Sequence, residues 1–298
     1  MIFDELEVNG DVLGTILAEM TRRSIITINK ERFSLFIEQK IGYSGEPDDI
    51  RTSADIKSEK VALKKFLKCF KNFNIISEES YNPKTKIIKE RPILTADTND
   101  GSKALARLQS DGFGPMFSVI ENNEVVAVSI GDAMTFEIYC YHPDSRTVHR
   151  IINFNEGYSL RNSFQKKLAG SWIQLRDNPF DLSDFSRTLV GNEKSSRLFG
   201  GMNVNGGGIG LSMAKLWKGE VSAAILKTQF WTPWDMAPVI GVCKKLNYQF
   251  VEIDDKDKSL KVIDIPVPLK IKEDKKELII VHESNIPELF AWKKSIFG

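Results

Sequence analysis

The chain has 298 residues, enough to bury an ample core as one large domain or two closely joined layers. Its 41 lysines and arginines against 40 aspartates and glutamates leave a net charge of +1, which gives no electrostatic reason to expect nucleic acid or an anionic membrane as partner. The three cysteines, Cys69, Cys140 and Cys243, are odd in number and widely spread, which fits a reducing cytoplasm rather than a disulfide framework.

At the N-terminus, Met1 to Glu7 lacks the basic region and apolar core of a secretion signal, and no apolar run approaches the ~20 residues that cross a bilayer. Leu13, Ile16, Leu17 and Met20 carry helical periodicity over about residues 10–39. A polar loop with Gly45, Pro47 and Asp48-Asp49 then leads to Thr52, which with Asp55 matches a capping box ahead of Ile56, Val61, Leu63, Phe66 and Leu67. Two helices are thus expected before any sheet. Next, Ile75-Ile76 delivers Ser77-Glu78-Glu79 into a loop, and Pro92-Ile93-Leu94 reads as a strand end. Residues 103–108 have helix formers at helical spacing. Residues 117–120, 124–130, 135–142 and 147–152 are rich in β-branched and aromatic types, with turns at Asn122-Asn123 and Pro143-Asp144-Ser145, so they predict an antiparallel meander. From about Gly170 the pattern becomes mixed strands and helices, with Trp172 to Leu175 as a candidate strand and the charged run Lys270 to Glu277 as a solvated loop. The class is α+β, with a soft boundary that divides 1–155 from 156–298.

Asp97-Thr98-Asn99-Asp100-Gly101-Ser102 is the most informative stretch. Two carboxylates three residues apart, followed by a glycine and a hydroxyl at a strand-to-helix junction, suit a divalent metal and a phosphate. The first N–H groups of the helix, near Gly101 and Ser102, favour an anion, and glycine lets the backbone approach it. The same residues also satisfy a plain turn capped by Ser102. Two further acidic segments bear on this: Ser77-Glu78-Glu79 upstream, and Trp231-Thr232-Pro233-Trp234-Asp235-Met236 downstream, where Asp235 could equally be an N-cap for residues 236–246.

In this order, Thr52-Ser53-Ala54-Asp55 with Glu59, Ser77-Glu78-Glu79, Asp97 to Ser102 and Trp234-Asp235, the motifs resemble the inositol monophosphatase family, part of the magnesium-dependent, lithium-sensitive phosphatases that include fructose bisphosphatases and bisphosphate nucleotidases. The meander from Phe117 to Ile152 and the ending at Leu278-Ile279-Ile280-Val281 extend the resemblance over most of the chain. It implies a layered αβαβα sandwich, a homodimer, two or three Mg2+ ions and inhibition by Li+. It also implies that Glu78, Asp97 and the main-chain carbonyl of Asn99 hold one ion, with Asp97 bridging to a second ion held by Asp100 and Asp235. A water acidified by metal would be oriented by Ser102 with Asp55, beside Glu78, while the N–H groups of Gly101 and Ser102 take the phosphate. Glu59 and Glu79 would be supporting charges.

The chain departs from the family pattern at Thr98, where proline is usual, and at Ser102, where threonine is usual but the hydroxyl is kept. Residues 226–233 contain no acid ahead of Trp234-Asp235, where members acting on inositol phosphates carry one. The expected activity is a Mg2+-dependent phosphomonoesterase for a small phosphorylated polyol or sugar. The alternatives are a bisphosphate substrate, either fructose bisphosphate or adenosine 3',5'-bisphosphate, and a non-catalytic member that serves as a binding protein. Gly200-Gly201 to Gly210 lacks the context of a dinucleotide site and reads as a flexible start to a helix near the pocket. His142, His149 and His282 lack zinc-ligand spacing. Trp231 and Trp234 fit either core or pocket wall, and Arg187 and Arg197 fit surface salt bridges.

Overall fold

The computed structural model describes residues 10–160, 167–191, 196–227 and 229–298. Met1 to Glu7 and Thr228 lie outside the described residues. Helices α1 (Gly10–Glu31) and α2 (Ser53–Cys69) cover one face of a seven-stranded sheet. Its order is β3 (Asn74–Ser77), β4 (Ile93–Asp100), β5 (Gly114–Glu121), β6 (Glu124–Gly131), β7 (Ile138–Tyr141), β8 (His149–Ile152) and β9 (Glu156–Ser159). β3 runs parallel to β4, and every later neighbour is antiparallel. Leu13, Leu17 and Met20 of α1 and Phe66 of α2 bury their side chains against Leu94, Phe117 and Val119. Successive strand residues face opposite ways, so Met116 and Val128 point to the other side. There they meet α5 (Ile209–Trp217) and α6 (Pro233–Lys245).

Those two helices form the middle layer, which explains why α6 is apolar on nearly every side. They pack in turn on a six-stranded mixed sheet, ordered β11 (Gly201–Val204), β10 (Trp172–Leu175), β12 (Ala223–Lys227), β17 (Glu277–His282), β14 (Tyr248–Asp254) and β15 (Ser259–Ile263). Ala224 and Leu226 face the middle layer, whereas Ala223 and Ile225 face outward to α4 (Asp184–Val190) and α7 (Ile286–Phe297). The layers are therefore helix, sheet, helix, sheet, helix, as the resemblance implied.

Four local expectations are corrected. α1 ends at Glu31, not near residue 39, because Phe33 and Phe36 find no core to enter and stand exposed. A hairpin, β1 (Ile37–Lys40) and β2 (Asp49–Thr52), lies between the helices, so strands do precede α2. Its polar, exposed residues carry no buried alternation to announce it. Residues 93 and 94 open β4 rather than end a strand, and Asp97 to Asp100 belong to β4 with a register shift between the two aspartates. Lastly, Lys270 to Glu277 is not all loop: β16 (Lys272–Glu273) pairs with β13 (Phe230–Trp231), and Glu277 is buried, accepting from Ser183 and Ser186. No helix among the described residues is long and apolar enough to cross a membrane.

Candidate active site

The acidic segments converge where β4 ends and two middle-layer helices begin. Asp97 and Asp100 leave β4, and Asp235 sits in the first turn of α6, with one carboxylate oxygen from each within 4.8 Å of the others. They line a cavity of about 400 Å³ together with Glu78, Asn99 and Ser102. Asp235 is not the N-cap of α6: that residue is Thr232, whose Oγ1 donates to Asp235 Oδ2 at 2.6 Å. Asp100 Oδ2 accepts from the N–H of Gly210 at 2.7 Å, so the free end of α5 orients this acid. A Cβ on Gly208 would lie 2.3 Å from an Asp100 oxygen, which gives one glycine of the tract at 200–210 a definite steric reason.

Asp55 satisfies the capping and the site readings at once. Its Oδ2 accepts from the Thr52 N–H at 2.7 Å and from the Thr52 hydroxyl, completing the box at the start of α2. Its Oδ1 lies 2.5 Å from Ser102 Oγ. Ser102 Oγ is also 3.0 Å from the Asn99 carbonyl and accepts from Asn99 Nδ2 at 3.1 Å. The cap of the short α3 (Ser102–Ala106) is Gly101, at φ 95°, rather than Ser102. A Cβ there would meet the Gly112 carbonyl at 2.2 Å, so only glycine fits. Thr98, in place of the family's proline, donates to the Asp55 carbonyl at 3.1 Å and ties β4 to α2.

Glu78 stands in the same cavity but is engaged by a cation: Lys40 Nζ lies 3.2 Å from Glu78, 3.2 Å from Glu79 and 3.6 Å from Asp49. Glu59 accepts from Ser77 at 2.5 Å and Ser80 at 2.8 Å, a supporting role. Burial pushes the Glu78 carboxyl up to about 7, opposed by Lys40 and reinforced by Asp235. Burial, then the charge of Glu78, raises Glu79 to about 7. Asp97 is raised by burial and by Glu78 and Asp100. Burial takes Asp235 to about 7 with help from Asp100, and Asp100 to about 6 against the N–H of Gly210 and the charge of Arg176. Acids that resist ionisation together form a site with a deficit of positive charge, and hard oxygen donors of this kind fit a divalent cation such as Mg2+.

Several lining residues carry no sequence signal. Arg176, just past β10, and Lys103, in α3, put cations at the cavity, and Tyr43 of the hairpin lies 6.0 Å from Phe230 and 6.3 Å from Trp234, ring to ring. Trp234 is both buried and pocket-lining. An adjoining cavity of about 560 Å³ is lined by Arg176, Lys227 and Gln229 together with Asp177, Asp181 and Asp235. The histidines stay outside: His142 faces Asp11 at 3.3 Å, and Asp97, Asp100 and Asp235 are the one metal-compatible cluster among the described residues. Arg187 pairs with Asp184, as expected of a surface residue.

No family model and no curated protein sequence matches the chain. Solved structures do. The extragenic suppressor protein suhB from Bartonella henselae superposes with a TM-score of 0.69 at 16% identity, over 96% of this chain and 98% of that one. An IMPase/NADP phosphatase complexed with NADP and Ca2+ gives 0.71 at 16% identity, over 96% and 97%. An IMPase/NADP phosphatase complexed with Mg2+ and phosphate gives 0.66 at 16% identity, over 95% of each chain. In layer order and over nearly its whole length, the chain has the fold of the inositol monophosphatases, the family its motifs resemble.

Proposed function

We propose that the chain is a Mg2+-dependent phosphoric monoester hydrolase acting on a small phosphorylated polyol or sugar. The observation that carries this reading is the cluster of Asp97, Asp100 and Asp235 oxygens within 4.8 Å, next to the Ser102–Asp55 hydrogen bond. Solved neighbours complexed with Ca2+ and NADP, or with Mg2+ and phosphate, support the same classes of ion and ligand. In this reading Asp97, Asp100 and Asp235, with Glu78 and the Asn99 carbonyl, hold two or three ions, and Li+ inhibits. Cations held there would acidify a water and offset the charge of the phosphate. Ser102 Oγ orients that water and Asp55 Oδ1 accepts through it, while the N–H groups of Gly101 and Ser102 take phosphate oxygens. Residues 1–155 supply most of the ligands and 156–298 complete the site. A reducing cytoplasm agrees with Cys69, Cys140 and Cys243 all being free, and a homodimer follows the resemblance.

A second reading, a bisphosphate substrate, draws on Arg176 and Lys227, which line the adjoining cavity with Gln229 and also with Asp177 and Asp181, and on the absence of an acid from residues 226–233 ahead of Trp234-Asp235. Phosphate release by the purified chain from a panel of sugar, polyol and nucleotide mono- and bisphosphates, with and without Mg2+, tests both. Mg2+-dependent release from a monophosphate supports the first reading, and a strong preference for bisphosphates the second. No release from any ester, with Asp100→Asn behaving like the parent, favours a binding protein instead.

A further inference from the structure

The net charge of +1 conceals a one-sided distribution on α2. Lys60, Lys64 and Lys68, spaced i, i+4, i+8, share one exposed face of the helix with Lys57, and Lys65 and Lys71 flank it. Lys57 pairs with Glu31 at 2.7 Å. No carboxylate of the described residues forms a salt bridge with the other five, because the helix's own acids are turned inward: Asp55 is buried and Glu59 is held by Ser77 and Ser80. Large apolar side chains are exposed beside these ammonium groups. Ile56 is 46% and Leu67 45% exposed on the same helix. At its start Phe36, whose carbonyl accepts from the Ser53 N–H, is 70% exposed, and Ile37, in register with Thr52, is 46% exposed.

We propose that this face docks on an anionic lipid bilayer, with the lysines over the headgroups and Phe36, Ile56 and Leu67 at the acyl boundary. Lysines with no carboxylate partner among the described residues, beside exposed aliphatic groups, complement a surface that is negative outside and apolar just beneath. Nucleic acid could take its phosphates to the lysines, but the helix face has no arginine for bidentate contacts, and of the exposed apolar groups only Phe36 offers a ring on which a base could stack, whereas Ile37, Ile56 and Leu67 are aliphatic. A second copy of the chain is disfavoured too, since a two-fold contact centred on this face would bring its lysines together with those of the partner. None of Phe36, Ile37, Ile56, Leu67 and the five lysines lines the acidic cavity.

Co-sedimentation of the full chain with phosphatidylcholine vesicles, with or without phosphatidylserine, tests the proposal. The expected result is binding only with phosphatidylserine, weakening as salt rises. The triple variant Lys60→Glu, Lys64→Glu, Lys68→Glu should bind about a hundredfold more weakly, and Ile56→Ser with Leu67→Ser, which keeps every charge, should also weaken binding. If the charge reversal unfolds the helix, as read by circular dichroism, the Lys→Gln triple replaces it. Equal binding to both vesicle types, unchanged binding of the lysine variants, unchanged binding of the Ile56/Leu67 variant, or tighter binding to single-stranded RNA than to the anionic vesicles would each overturn it.

Discussion

At the scale of single residues, Asp55 and Ser102 separate stability from chemistry. Asp55 closes the capping box of α2 through one oxygen and meets Ser102 through the other. Asp55→Ala should therefore lower unfolding stability by about 1 kcal/mol by opening the capping box while Thr52 remains the N-cap, and also cut kcat by ~10²-fold or more. Ser102→Ala leaves the Thr52–Asp55 pair intact, so its melting temperature should match the parent while kcat falls to a similar extent; thermal melts and initial rates check both. A Ser102→Ala variant with parental activity would remove Ser102 from the chemistry. The clustered acids were legible in the sequence because hard-cation chemistry restricts residue types, and here two of them stand just ahead of Gly101. Arg176, Lys40 and Lys103 were not, since each is one cation that only the folded chain brings to the cavity.

At the scale of elements, the helix starts act as the site's framework. The N–H of Gly210 in α5 fixes Asp100, Thr232 at the head of α6 fixes Asp235, and the cap of α2 fixes Asp55. Gly208→Ala places a methyl group against the Asp100 carboxylate, so that side chain must move away from its partners. The variant should lose most Mg2+-dependent activity, and its apparent Mg2+ requirement should rise; titrating initial rates with Mg2+ reads both. Parental rates and Mg2+ dependence would mean that Asp100 is not held by this contact. Elements with a buried face were readable from their spacing, as in α1, α2 and the meander. The β1–β2 hairpin and the fully exposed β9 were not, because strands without a buried side leave no alternation to read.

At the scale of the whole molecule, the clustered acids set the pH dependence of folding. Glu78, Glu79 and Asp235 are raised to about 7 and Asp100 to about 6 in the folded chain, against about 4 for such groups unfolded. The unfolded chain therefore ionises first as pH rises. Their contribution is fully present below about pH 4 and is lost progressively up to about pH 7. Without divalent cations, urea unfolding should show stability falling across that window, and Mg2+ should restore it most at the upper end, because the cation favours the ionised acids. A metal-free chain whose stability rises over the same window would contradict this reading of the cluster. The order of layers followed from the motifs and their resemblance, whereas the acidic cavity is lined by side chains from distant elements, Tyr43, Arg176 and Phe230 among them.

The account depends on Asp97, Asp100 and Asp235 forming one divalent cation site. The most direct measurement is calorimetric titration of Mg2+ into the EDTA-stripped chain and into its Asp97→Asn variant. Saturable binding to the parent and its loss in the variant, with the fold retained, is the predicted result; no saturable binding to the parent, or equal binding to both, would contradict it.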